Sequence, residues 1–180
     1  MEKKSITLAS MFASLYAVLV VALAPVSFLP LQVRFADALI PLSIIYGWTA
    51  IIGLTIGCMI SNFIAGQVFF GGWTIIDTLG GALANFIACY IGWKICLKHT
   101  RRYFITTTSI QSIIISFIVG TYLWYIFGSP EYYNVYTFIL PGLPAFWITI
   151  FIGSFISIVL LGNILLIAIL KSKIYPIEKT

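Results

Sequence analysis

Charge is what this chain has least of. Asp, Glu, Lys and Arg together make up 8% of its 180 residues. Acids are scarcer than bases, five against ten, and there is a single histidine. A soluble domain carries about a quarter of its residues as charges, so a soluble fold is excluded. Cys58, Cys89 and Cys96 have no CxxC spacing and no neighbouring histidines. They read as buried, inert thiols and not as a metal site or disulfide framework. No HExxH, no phosphate-cradling glycine loop and no nucleophile–base pair is present. Nothing therefore points to catalysis or to ATP hydrolysis, and the chain is expected to be neither an enzyme nor the holder of a cofactor. Internal repeat symmetry is missing too, and ionisable groups at mid-membrane are few. Both are common in carriers driven by an ion gradient. A solute-moving protein of this composition needs an energy source on another chain.

Apolar residues fill the space that charge leaves. They make up 61% of the chain, with a mean hydropathy of +1.09. An all-α integral membrane protein is implied, in one domain over residues 1–180. The first apolar stretch ends in Pro25-Val-Ser-Phe-Leu-Pro30, not in a small-residue cleavage site, so it is expected to be retained. Charges divide the chain into uncharged stretches at 5–33, 38–76, 78–93, 103–130 and 132–170. A helical crossing needs ~20 residues. The 38–76 stretch is too long for one crossing and just long enough for two short ones, turning at Tyr46-Gly47-Trp48. Residues 132–144 are rich in Pro, Tyr and Gly and read as a loop. Six helices result, at about 6–28, 34–46, 48–66, 73–95, 104–127 and 145–170.

The positive-inside rule supports that count. With a cytoplasmic N-terminus, Lys3, Lys4, Lys94, Lys98, Arg101, Arg102, Lys171, Lys173 and Lys179 all fall inside. Arg34 is then the one external cation, accompanied by Asp37, Asp77 and Glu131. Both termini are expected in the cytoplasm. The net charge of +5 reflects this sidedness and lipid headgroup contacts, with no need of nucleic acid.

A few polar residues interrupt the apolar helices. Arg34 and Asp37 lie three apart, so they share a helix face. A buried charge pair in a membrane protein either neutralises itself or grips something polar. Asp77, Gly81 and Asn85 stack at i, i+4 and i+8. Gly81 leaves room for a flat group between two polar ones. Asp77 also suits a helix N-terminus, and Asn85, ~12 Å deeper, suits a helix-to-helix hydrogen bond. Asn62 falls toward the external end of its helix. Tyr122, Trp124, Tyr125, Glu131, Tyr132, Tyr133, Tyr136 and Trp147 gather on the same side. One by one these rings suit an interfacial belt. Together with the external charges they have the composition of a pocket for a flat, polar small molecule. Gln111 and Asn163 read as bundle glue, and His99 as a solvated loop residue. Ala9, Ala13 and Ala17 form a small-residue ridge that serves either the bundle itself or a partner helix. Gly53 and Gly57 are similar.

The residues from Tyr16 to Phe28, Gln32 to Leu39, Gly53 to Asn62, and Asp77 with Gly80 to Ala84 resemble the QueT family. Its members are substrate-binding (S) components of energy-coupling factor (ECF) transporters. The resemblance covers roughly residues 13–95, and Gln32 to Leu39 is its most specific part. It implies a six-helix bundle of the ECF S-component type with an externally facing pocket, in the plasma membrane. It implies uptake of a 7-deazaguanine precursor of queuosine-type nucleosides. It implies partners: a transmembrane coupling subunit, met by the ridge of Ala9, Ala13 and Ala17, and two ATPase subunits that hydrolyse ATP. The chain departs from the family pattern in three places. Asp37 stands where the pattern has Glu, and Gln111 or Ser112 where it tends to have Asn. Gly153-Ser154 stands where it has Gly-Glu. A missing carboxylate favours a neutral ligand, such as the nitrile form, over an aminomethyl cation.

A 7-deazaguanine presents two adjacent N–H donors and a carbonyl acceptor. Asp37 or Asp77 suits the donors, and Arg34, Gln32 or Asn85 the carbonyl. The expected substrate-binding set is Gln32, Arg34, Asp37, Asn62, Asp77, Gly81 and Asn85. Other readings are an S component for a different vitamin or aromatic compound, and a non-transporting membrane assembly subunit.

Overall fold

The structure is a computed structural model that describes residues 3–27, 33–96, 101–135 and 138–172. Gln32, Tyr136 and the loop holding Lys98 and His99 lie outside the described residues, as do Lys173 and Lys179.

Helix α1 runs Lys3–Ala22. It breaks at Leu23 and resumes for one turn, Ala24–Ser27. Pro25 has no N–H to give back to the preceding turn, which accounts for the break. Segment α2 runs Phe35–Tyr46. Its first eight residues, Phe35–Leu42, are wound as a 3-10 helix. That winding and the four α-helical residues after it span roughly 22 Å. A bilayer core is ~30 Å thick. Gly47, at φ 53°, makes the turn into α3, Trp48–Phe69. Helices α4, Thr74–Ile95, and α5, Arg101–Ile126, follow.

Where the sequence reads a loop, two short strands pair. β1, Tyr132–Val135, runs antiparallel to β2, Phe138–Pro141, with Tyr133 opposite Leu140. Helix α6 then runs Gly142–Lys171, starting three residues earlier than the proline pattern implies. Pro144 falls in its first turn, where a missing N–H has no partner to lose. Within α6, Phe155–Leu161 widens into a π-helix. Among the described residues, five helices are therefore long and apolar enough to cross a membrane, and α2 is a shorter apolar one.

The packing is serial. α1 lies on α3, α3 on α4, α4 on α5 and α5 on α6, while α2 is inserted among α1, α4 and α6. The α1–α3 approach needs glycine. A Cβ on Gly53 would sit 2.5 Å from the Ala9 carbonyl oxygen, and one on Gly57 would sit 2.6 Å from that of Ala13. Large apolar side chains such as Met11, Val68 and Ile164 face outward, as lipid contact requires. Polar groups turn inward. Ser43, Asn62, Gln111 and Ser157 have no exposed surface. Gln111 Nε2 donates to the Ala88 carbonyl at 3.2 Å and to Ser43 Oγ at 3.3 Å. Asn163 Nδ2 donates to Thr108 Oγ1 at 2.8 Å. Both join helices, as the sequence implies.

Candidate functional site

The first turn of α2 builds one wall of the site. The Asp37 N–H donates to the Arg34 carbonyl at 3.0 Å. Arg34 caps the 3-10 helix from an extended conformation, and Asp37 lies in its first turn. Both are buried, Arg34 at 7% exposure and Asp37 at 5%. Tyr16, from α1, donates its hydroxyl to Asp37 Oδ1 at 2.5 Å, a length typical of a charge-assisted O–H···O⁻ bond. Arg34 Nη1 approaches Cys58 Sγ at 4.0 Å. Its positive charge acts on Asp37 and on Asp77.

The opposite wall is α3 against α4. Asn62 Nδ2 donates to the Asp77 carbonyl at 3.1 Å. That amide lies directly over Gly81, where any Cβ would collide with it. The flat surface that Gly81 was expected to offer a ligand is thus covered by Asn62, and the glycine permits this close approach. Asp77 Oδ1 accepts from the Tyr122 hydroxyl at 3.0 Å.

Three atoms in this region are buried without a hydrogen-bond partner: Asn62 Oδ1, Asp77 Oδ2 and Asn85 Nδ2. Native interiors rarely leave such groups unpaired, and each one costs ~1–3 kcal/mol. Arg34, Asp37 and Asn85 line a small cavity together with Ile115, Val119, Ile150 and Ser154. It has about 10 Å³ open to the centre of a water molecule, room for a single water. Ser154 Oγ is 2.8 Å from Ser112 Oγ and 3.2 Å from Ser116 Oγ. The α6 wall is therefore polar and uncharged.

Arg34, Asp37, Asn62, Asp77 and Asn85 are thus brought together. Gln32 lies outside the described residues. Tyr16 and Ser154 were not singled out as site residues from the sequence. Tyr16 opens an apolar run that follows Ser10 and Ser14, and its only signal is one more hydroxyl ahead of Leu and Val. Of the rings named from sequence, Tyr122 reaches a site carboxylate. Others serve the bundle end. Trp147 Nε1 donates to Thr121 Oγ1 at 3.0 Å, and the Trp73 and Tyr125 rings meet edge-on at 5.8 Å. Tyr133 packs on Phe146 at 4.5 Å between centroids and fastens the hairpin. Burial raises the Tyr133 phenol above its usual range. Ala9 and Ala13 turn their backbone toward Gly53 and Gly57, so much of that ridge is used within the chain. The outer face of α1 instead presents an apolar groove lined by Ser10, Met11, Ser14, Leu15 and Val18.

Apolar helices closed around a buried cluster of charge define a multi-pass integral membrane protein with an internal polar site. The particular family follows from comparison with known proteins. The model of the QueT transporter family matches residues 6–171. The chain belongs to that family, whose members are substrate-binding components with a role in transport. No curated protein and no solved structure matches.

Proposed function

We propose that this chain is the substrate-binding subunit of an ECF-type importer in the plasma membrane, and that it takes up a 7-deazaguanine. One observation carries the reading. Two acceptors, Asp77 Oδ2 and Asn62 Oδ1, and a donor, Asn85 Nδ2, are buried without a hydrogen-bond partner among the described residues. A guanine-like edge offers the complement, two N–H donors and a carbonyl. Asp77 takes the N–H groups with Asn62 beside it, and Arg34, whose charge acts on Asp77, donates toward the carbonyl, while Asn85 lies about two turns deeper on α4. Asp37 holds Arg34 in place, with Tyr16 fixing the carboxylate. The wall formed by Ile115, Val119, Ile150 and Ser154 places no carboxylate beside the substituent on that side, which favours the neutral nitrile form there.

The cavity as it stands is far smaller than a bicyclic base, so the walls part on binding. In this reading the chain makes six crossings with both termini in the cytoplasm, and the hairpin end faces outward. The outer face of α1, with Ser10 and Ser14 between Met11, Leu15 and Val18 and with Ala17 at its edge, meets the coupling subunit. Of the long helices, α1 is the least enclosed, 22% buried against 44% or more for the others. Two ATPase subunits supply the energy.

The test is mass spectrometry of small molecules carried through purification, followed by titration of the stripped protein with guanine-edged and adenine-edged bases. Retention of a 7-deazaguanine and preference for the guanine edge are expected. Indifference between the two edges would refute the assignment.

A further inference from the structure

The charges at the site do not balance. Arg34 brings one positive charge, and Asp37 and Asp77 bring two negative ones. The groups that face them are Tyr16 from α1, Cys58 and Asn62 from α3, and Tyr122 from α5. From Gly142 to Leu170 the sequence of α6 has no ionisable residue. One negative charge is therefore in excess inside an apolar bundle, where an uncompensated charge is costly.

The two carboxylates are not equally provided for. Asp37 has the short bond from Tyr16 and the neighbouring Arg34 charge. Asp77 has Tyr122 on Oδ1, while its Oδ2 is buried without a partner. The nearby Asn62 Oδ1 is an unpartnered acceptor too. The Asn62 amide has its orientation fixed, because Nδ2 bonds the Asp77 carbonyl at 3.1 Å. Two buried acceptors, Asn62 Oδ1 on α3 and Asp77 Oδ2 on α4, are thus tied to the same stretch of backbone and both lack a donor. Among the cavities lined by described residues, the small one that Arg34, Asp37 and Asn85 line does not include Asp77 or Asn62.

We propose that Asp77 carries a proton on Oδ2 in the ligand-free protein, shared with Asn62 Oδ1, and that the N–H donors of the ligand displace it. The inference rests on the reading that Asp77 receives the ligand's N–H edge. With the proton in place the site is neutral, and the O–H satisfies both orphaned oxygens. On binding, the proton leaves to solvent, and two charge-assisted bonds from the ligand's N–H groups hold the negative charge that the free site has no donors to hold. Binding thus releases about one proton per ligand, and affinity rises ~tenfold per pH unit while the free site remains protonated.

Two measurements test this on the purified full-length protein. The first is infrared difference spectroscopy of ligand-free wild type against Asp77→Asn and Asp37→Asn. A protonated-carboxyl band at neutral pH that is lost in Asp77→Asn and kept in Asp37→Asn is expected. No such band in wild type overturns the proposal without any ligand being involved. The second is calorimetric titration with the neutral 7-cyano form of 7-deazaguanine in two buffers of different protonation enthalpy. Release of about one proton supports the proposal. Binding with no proton released overturns it and leaves the ligand reading standing. Failure to bind, with the infrared band present and specific to Asp77, sinks the ligand reading and keeps the proton.

Discussion

Replacing Asp77 and Asp37 by Asn, one at a time, separates two roles that the same chemistry makes look alike. Asp77→Asn keeps an oxygen for the Tyr122 hydroxyl. It turns the unpartnered Oδ2 into an amide, which offers N–H where the ligand also offers N–H. Two charge-assisted bonds are lost, each worth ~1.5–3 kcal/mol net. A combined loss of about 3 kcal/mol weakens binding ~100-fold. Because the amide is a neutral isostere, thermal stability changes little. Asp37→Asn does the reverse. It keeps an acceptor for Tyr16 but removes a negative charge that acts on the buried Arg34. Breaking a buried pair in this way costs ~3–5 kcal/mol, so the unfolding temperature falls by several degrees, and ligand binding weakens only through the misplaced Arg34. The assay pairs ligand titration with detergent-solubilised thermal unfolding for both variants. If Asp37→Asn abolishes binding at unchanged stability while Asp77→Asn binds normally, the two roles are reversed and the argument from unpartnered atoms fails.

Ser154→Glu puts a carboxylate on the uncharged wall and should shift preference toward an aminomethyl cation by ~tenfold or more. An unchanged ratio of affinities for the nitrile and aminomethyl forms would show that the substituent points elsewhere. Gly57→Leu drives a side chain into the Ala13 backbone, where a Cβ alone would lie 2.6 Å from the carbonyl oxygen. Overpacking of that kind costs ~1–3 kcal/mol or more, and unfolding of the purified variant at lower temperature is the readout. Tyr133 has its phenol raised by burial against the hairpin. The neutral form is the one the fold favours, so its contribution is complete below the ordinary tyrosine range and is lost as pH rises through the raised value. Tyr133→Phe should therefore remove part of the alkaline loss of stability, measured by thermal unfolding between neutral and strongly alkaline pH.

Much of this site is legible because polar residues are so rare in the chain. Arg34, Asp37, Asn62, Asp77 and Asn85 stand out in apolar helices, and all five converge. Tyr16 and Tyr122 are harder to see, since a membrane protein uses tyrosine freely at its interfaces and spacing does not reveal which phenol turns inward. Ser154 drew notice as a departure from a family pattern; its place in the cavity wall comes from how α6 packs. The Ala9–Ala13–Ala17 ridge shows the limit of periodicity. Small residues at that spacing call for a close neighbour, and nothing in the spacing says that Gly53 and Gly57 supply it. Residues 132–144 read as a loop because Pro, Tyr and Gly dominate there. The strand pairing depends on backbone register, which side-chain composition does not encode.

The 3-10 winding of Phe35–Leu42 also gives α2 a reserve of travel. Each residue of a 3-10 helix advances ~2.0 Å and turns 120°, against ~1.5 Å and 100° in an α-helix. Rewinding those eight residues as α-helix shortens the segment by about 4 Å and swings its first turn through nearly half a revolution relative to its last. Ser43–Tyr46 is already α-helical and supplies the template. Arg34 and Asp37 ride on the moving end. A change of winding confined to α2 would thus shift the end that carries Asp37, with Arg34 just before it, while the long helices stand still; Pro41, inside the segment, resists a complete rewinding.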